Sequence, residues 1–269
     1  IDAVYIASPN KLHIEQARVF LEHGKHVICE KPLSAHAKDV AELQALAKER
    51  GLIYLEAIMF MHLPQRKLLE EALKKIGDIS VTKIDFCQRS SKYDAYLAGS
   101  LPNIFNPALE TGALMDLGVY CVYPALYLFG KPQNTLAVSH LLASGADGSD
   151  IVAMQYPDKL VNLVFSKVGQ AGANTDFQGT NGTVSVESIS KLANISIRYN
   201  NGTVEEVCGE EEKFKLMGYE AKDFYRYIQS PKLPARNTSS APPSLTTFPS
   251  IWKKSASSRT SASPPTTKT

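Results

Sequence analysis

"DAVYIASPNKLHIEQARVFLEHGKHVICEKPL", residues 2–33, is the stretch on which the fold is read. It opens on an apolar run, "DAVYIAS", that stops at Pro9. Leu12, Gln16/Ala17, Val19/Phe20 and Leu21 then recur at helical spacing up to Gly24, a residue suited to ending a helix. "HVICE" follows as a second apolar run. Downstream, Ser34 reads as the N-cap of a helix that places Val40, Leu43 and Ala47 on one face and stops at Gly51, before a third strand, "LIYLEA". Short, fully apolar strands alternating with helices predict an α/β fold with a parallel sheet covered on both faces.

Past Met61 the pattern changes. "QRKLLEEALKK" (65–75) reads as a helix and "ISVTKIDFCQ" as a strand, while "GALMDLGVYCVYPALYLFG" (112–130) reads as a helix broken or bent near Pro124. Strand-like runs then follow one another, with hairpin signals at Asn181-Gly182 and Asn201-Gly202. They predict a largely antiparallel open sheet, closed by a last helix in "GYEAKDFYRYIQ". The expected division is a first domain over 1–60, a second α/β domain over 61–230, and a tail over 231–269.

Composition narrows the function classes. Lys+Arg 29 against Asp+Glu 27 leaves a net charge of +2, with no electrostatic footprint for nucleic acid or anionic lipid. The four cysteines, Cys29, Cys87, Cys121 and Cys208, form no CxxC pair and no metal-ligand cluster, so no metal is expected and a reducing, cytoplasmic setting is. No window is read as approaching the roughly 18 apolar residues of a membrane span, and no secretory leader is read at the start. A small-molecule partner is the expectation.

Ligands of open parallel sheets sit at the carboxyl ends of the strands. Ser8-Pro9-Asn10, Glu30-Lys31-Pro32 and Glu56-Ala57 each fall at such an end, so they line one edge. Each alone also has an ordinary reading: Pro-Asn as a turn, Glu-Lys as a surface ion pair.

Together these residues carry a resemblance. The Ser-Pro-Asn-x-x-His and Glu-Lys-Pro elements of residues 1–60, the "TGALMDLGVYCVYPALYLFGKP" helix and the "FQGTNGTVSVE" turn resemble the glucose-fructose oxidoreductase/inositol dehydrogenase/rhizopine catabolism (Gfo/Idh/MocA) family. The Asp-Leu-Gly-Val-Tyr-Cys form is similar to the dimeric dihydrodiol dehydrogenase-like members. The resemblance implies the carboxyl half of a Rossmann-type sheet followed by an α+β domain. It also implies NAD or NADP as cofactor, and hydride transfer to or from a secondary alcohol of a polyol, sugar or dihydrodiol. A homodimer through the second-domain sheet is implied as well. In the implied roles Lys31 hydrogen-bonds the reacting hydroxyl, Pro32 holds it in place, often through a cis bond in relatives, and Tyr120 passes the proton. Asp116, one turn before Tyr120, faces the same way. Ser8, Pro9, Asn10, His13, Glu30, Lys31 and Pro32 border the cofactor, and Tyr93 is a lesser candidate for the substrate pocket. A tyrosine is a poor base at neutral pH, and Lys31 is expected to favour its phenolate. Tyr120 and His13 also read as a core tyrosine and a helix-surface histidine.

Two departures accompany the resemblance. No GxGxxG occurs in the chain, so the family's phosphate loop is expected upstream of Ile1 and tight dinucleotide binding by this chain is not expected. From Asn237 to Thr269, Ser, Thr and Pro supply 21 of 33 residues, and no acidic residue follows Asp223. The expected cause is a frame shift near Asn237 or a disordered tail. The alternatives to an enzyme are a noncatalytic sugar-binding or interaction member of the same fold, and a nonfunctional fragment.

Overall fold

A computed structural model describes residues 1–230, so the expectations for the tail lie outside the described residues. The first unit is β1 (Ala3–Ile6), α1 (His13–Glu22), β2 (His26–Glu30), α2 (Ala37–Glu49) and β3 (Tyr54–Ala57). The three strands pair in parallel in the order β1-β2-β3. Ala17 and Leu21 of α1 and Val40, Leu43 and Ala47 of α2 bury one face of this sheet with Ile6, Val27 and Cys29. Ser34 does not cap α2: its Oγ accepts the His36 N–H at 2.9 Å, closing a turn first, and His36 is the capping residue.

The second unit comprises α3 (Gln65–Lys75), β4 (Ile79–Cys87), α4 (Tyr93–Leu97), a π-helical turn (Leu114–Gly118) and α5 (Val119–Phe129). It continues through β5 (Asn134–Leu141), β6 (Asp147–Gln155), β7 (Leu160–Ser166), β8 (Thr175–Gly179), β9 (Gly182–Ser188), β10 (Ala193–Tyr199) and β11 (Val204–Cys208). Its eight strands run β11-β10-β9-β8-β4-β7-β6-β5, and β4–β7 is the one parallel pairing in that sheet among the described residues. α3 and α5 cover one face, where Ile84, Phe165, Phe177 and Val184 are fully buried. The other face leaves Leu136, Val138 and Ile151 more than half exposed. The last helix, α6 (Lys213–Gln229), returns to the first unit, and its Phe224 packs on Ile28, Leu55 and Ala57 across the face opposite α1 and α2.

The helix over 112–130 departs from expectation in two ways. Pro124 lies inside α5 without ending it, and the irregularity comes earlier, as the π turn. The stretch Pro107–Phe129 is also long and apolar enough to cross a membrane, with mean hydropathy 1.4, contrary to the sequence expectation. Its apolarity has an internal use, since 72% of that window is buried in the protein's own core against the eight-stranded sheet.

Asp147 at the start of β6 secures the beginning of this stretch. Its Oδ2 accepts the Leu114 N–H at 2.6 Å, one of the donors a helix start leaves without an internal partner. Gly112 (φ +149°) lets the chain pass against that carboxylate, because a Cβ there would lie 1.9 Å from Asp147 Oδ1. Replacing Asp147 with alanine leaves a buried N–H unpaired, so urea unfolding followed by circular dichroism should show a stability loss of about 1–3 kcal/mol.

Candidate active site

The three parallel strands end on one edge, and β2 delivers Glu30 and Lys31 there. The Lys31–Pro32 peptide is cis. His13, fully buried at the start of α1, places Nδ1 and Nε2 each 2.8 Å from a carbonyl oxygen, those of Pro32 and Ser8. It therefore ties the loop after β1 to the loop after β2. Ser8 Oγ donates to Gln16 Oε1 at 2.7 Å, and Asn10 Nδ2 donates to the Glu110 carbonyl at 3.0 Å, so both fix the edge rather than face away from it. Pro9 is exposed, Pro32 is buried, and Glu30 Oε1 accepts the Tyr5 hydroxyl at 2.5 Å.

The π turn and α5 approach this edge from the second unit. Lys31 Nζ donates to the Asp116 carbonyl at 2.7 Å and to its Oδ1 at 2.8 Å, and lies 4.8 Å from the centre of the Tyr120 ring. Phe86 meets the Tyr120 ring edge-on at 5.4 Å. The structure thus brings Lys31, Asp116 and Tyr120 into one cluster. A fourth member escaped the sequence reading: Lys167, just past β7, donates to Asp116 Oδ2. Its side chain is 4% exposed, against 12% for Lys31 and 38% for Asp116.

The electrostatics follow from burial and these pairs. Burial pushes the Asp116 carboxyl up, but Lys31 and then Lys167 outweigh it and hold it at about 2. Burial works against the Lys31 ammonium, yet Asp116, followed by Tyr120 and Glu30, holds its pKa above that of an ordinary lysine. Tyr120 is subject to opposing effects. Lys31 does favour its phenolate, but burial, together with Glu30, Asp116 and Glu220, outweighs that pull and raises the phenol above its ordinary value. At neutral pH Tyr120 is a proton-bearing phenol.

Behind the edge lies a second group of carboxyls. Glu56 at the end of β3 accepts the Leu33 N–H at 3.1 Å and the Tyr123 hydroxyl, and burial lifts its pKa to about 7. Glu220 on α6, buried and facing Glu30 and Glu56, is lifted to about 8, with burial as the main cause. Tyr93 stacks on Tyr96 at 6.1 Å and tilts against Phe105 at 5.7 Å, an aromatic packing role in the α4 region.

Comparison with known proteins identifies the family. Residues 1–57 match the "oxidoreductase family, NAD-binding Rossmann fold" and residues 66–185 match the "GFO/IDH/MocA C-terminal domain". The chain is 42% identical over 232 residues to scyllo-inositol 2-dehydrogenase (NADP+) IolU of Bacillus subtilis, covering 86% of this chain and 70% of that protein. The chain belongs to the Gfo/Idh/MocA family. It is an oxidoreductase of the NAD(P)-dependent class. The oxidoreductase YgjR of Escherichia coli is 39% identical, with 83% of this chain and 68% of that protein covered. Trans-1,2-dihydrobenzene-1,2-diol dehydrogenase of Mus musculus is 30% identical over 71% of this chain and 56% of that protein. Among solved structures, KijD10, a 3-ketoreductase from Actinomadura kijaniata, has the same fold, with a TM-score of 0.79 at 24% identity over 92% of this chain and 77% of that one.

The donor set fits one end of a family dinucleotide. Lys31 Nζ and the half-buried Asp116 carboxylate stand at the strand-end edge, where a nicotinamide and an alcohol can be bordered by Ser8, Pro9, Asn10, Glu30 and Pro32.

The raised carboxyls make a testable statement about stability. A glutamate whose folded pKa stands above its ordinary 4.5 binds more protons in the folded chain, so its contribution is full below about 4.5 and fades as pH rises through about 7 for Glu56. Unfolding free energy should therefore fall as pH rises across that window, and Glu56→Gln should flatten the fall when urea midpoints are compared at successive pH values.

Proposed function

We propose that the cluster at the strand-end edge catalyses reversible hydride transfer between a nicotinamide and a secondary alcohol, with a cyclitol as the first substrate to test. The observation that carries this reading is the use of the Lys31 ammonium. Two of its three N–H groups go to Asp116, and among the described residues no hydrogen-bond acceptor takes the third, which remains for the oxygen of an alcohol or ketone. Support for a cyclitol comes from the similarity to scyllo-inositol 2-dehydrogenase, and support for NADP from the same relative. Ser8, Pro9, Asn10, Glu30 and Pro32 would border the nicotinamide, which when bound accepts or supplies the hydride.

The chain's own residues then have separate tasks. Lys31 orients the reacting oxygen by hydrogen bonding and favours negative charge on it. Asp116 keeps Lys31 charged and in place. Tyr120, beside Lys31, gives a proton to the oxygen when a ketone is reduced and takes it back when an alcohol is oxidised. Its raised pKa suits the donor role near neutral pH, and oxidation gains as pH rises and the phenolate forms.

Following NADP reduction at 340 nm with scyllo-inositol as substrate, Lys31→Met and Tyr120→Phe should each lower kcat/KM by about 100-fold or more. Turnover unchanged in Lys31→Met sinks the catalytic reading and favours a noncatalytic binding role. For the unmodified chain, kcat/KM for oxidation should climb with pH up to the alkaline limit of folding, whereas a flat profile would remove Tyr120 as the proton carrier.

The exposed face of the eight-stranded sheet supports a homodimer. Leu136, Val138 and Ile151 lie on adjacent antiparallel strands, with Val138 paired opposite Ile151, and form an apolar patch of the kind that marks an interface. Val138→Lys should convert a dimer into a monomer in light scattering coupled to gel filtration. The free thiols of Cys29, Cys87, Cys121 and Cys208 support a reducing, cytoplasmic setting.

A further inference from the structure

Lys167 is buried more deeply than either residue it helps to join. Its aliphatic arm is enclosed, and its backbone is held from two sides: its N–H donates to the Gly148 carbonyl at 2.8 Å, and its carbonyl accepts the Ser90 N–H at 2.8 Å. Its ammonium meets Asp116 Oδ2, while Lys31 takes Oδ1 of the same carboxylate. Two ammoniums on one carboxylate leave a net charge of +1, with both lysine side chains largely buried. Burying a lysine charge is costly, and an apolar residue of similar volume would serve the core as well or better. A second lysine here is therefore poorly explained by stability.

The geometry gives it a use. A single lysine facing Asp116 forms a neutral pair, and little field is left for a third partner. With the carboxylate shared, each ammonium is half compensated, and Lys31 keeps positive character toward whatever oxygen its remaining N–H meets. We propose that Lys167 is a positioning residue of the reaction centre: by occupying one oxygen of Asp116 it prevents that carboxylate from neutralising Lys31, so the trio presents net positive charge to the reacting oxygen. This role rests on the hydride-transfer reading of the site. The charged and titratable groups that act on Lys31, Asp116 and Tyr120 come from several elements: Glu30 from β2, Glu56 from β3, Glu220 from α6 and Lys167 from beyond β7, while neighbouring β4 carries Lys83, Asp85 and Cys87. Removing the Lys167 charge makes protons harder to remove from Lys31 and from Tyr120 alike, because both lose a nearby positive charge.

The deciding experiment needs neither nicotinamide nor substrate. The chain, Lys167→Gln and Lys167→Arg are labelled with trace acetic anhydride at about pH 8–10, where the neutral fraction of an amine sets its reactivity. Peptide mass spectrometry then compares Lys31 with Lys38, whose side chain is 86% exposed. Lys167→Gln should lower the relative reactivity of Lys31 by about tenfold, the equivalent of one pKa unit, and Lys167→Arg should stay within about twofold of the parent. Equal labelling of Lys31 in the parent and Lys167→Gln overturns the proposal. So does an arginine variant that behaves like glutamine, since geometry rather than charge would then be responsible. Lys167→Met, which keeps the length of the apolar arm, takes the place of the glutamine variant if near-ultraviolet circular dichroism shows that one unfolded. In assays with millimolar NADP the rising limb of the oxidation profile should move up by about one pH unit in Lys167→Gln. Absence of turnover with scyllo-inositol would count against the proposed function and leave the labelling result standing.

Discussion

One carboxylate held between two buried ammoniums joins the two halves of this chain. Lys31 comes from the end of a parallel strand, Asp116 from a helical turn under the second sheet, and Lys167 from just past that sheet's strand β7. The two buried lysine charges need the carboxylate as partner, and the three together leave a net positive charge. Much of the surrounding structure bears on their meeting. His13 pins the loop that carries Pro32, Asp147 secures the start of the turn that carries Asp116, and the parallel β4–β7 pairing brings the end of β7 beside that of β4.

The site is asymmetric in charge. Its front holds Lys31 and Lys167 around Asp116, while behind it Glu56 and Glu220 are buried and keep their protons toward neutral pH. Tyr120 stands between these fields, drawn toward the phenolate by Lys31 and held as a phenol by burial and the carboxyls. Such a balance suits a group that must pass a proton in both directions, because modest local changes of charge can tip it.

Much of this was legible in the sequence, for reasons that separate local from non-local physics. Strand ends, helix stops and the four-residue spacing of Asp116 and Tyr120 are local: they place Lys31 at the sheet edge and Asp116 and Tyr120 on one helix face, while the meeting of that face with Lys31 came from the family resemblance. Lys167 was not legible. In "LVNLVFSKV" it looks like a solvated lysine closing a strand, and only the strand order, with β7 beside β4, puts it under Asp116. The net direction of the Tyr120 shift was not legible for a related reason: sequence shows the lysine that favours the phenolate but not the burial that opposes it. Ser34 was misplaced as a cap because the same hydroxyl chemistry also closes turns. The apolar helix over 107–129 shows that hydropathy cannot distinguish lipid from a protein's own sheet as the covering surface.

The most direct test of the central claim follows the hydride itself. The chain is incubated with millimolar NADP and scyllo-inositol carrying deuterium on its carbinol carbons, and the reduced dinucleotide is weighed by mass spectrometry. Hydride transfer at the Lys31–Asp116–Tyr120 cluster predicts NADPH heavier by one deuterium, formed by the unmodified chain and lost in Lys31→Met. Label-free NADPH, or the same labelled product from Lys31→Met, would contradict it.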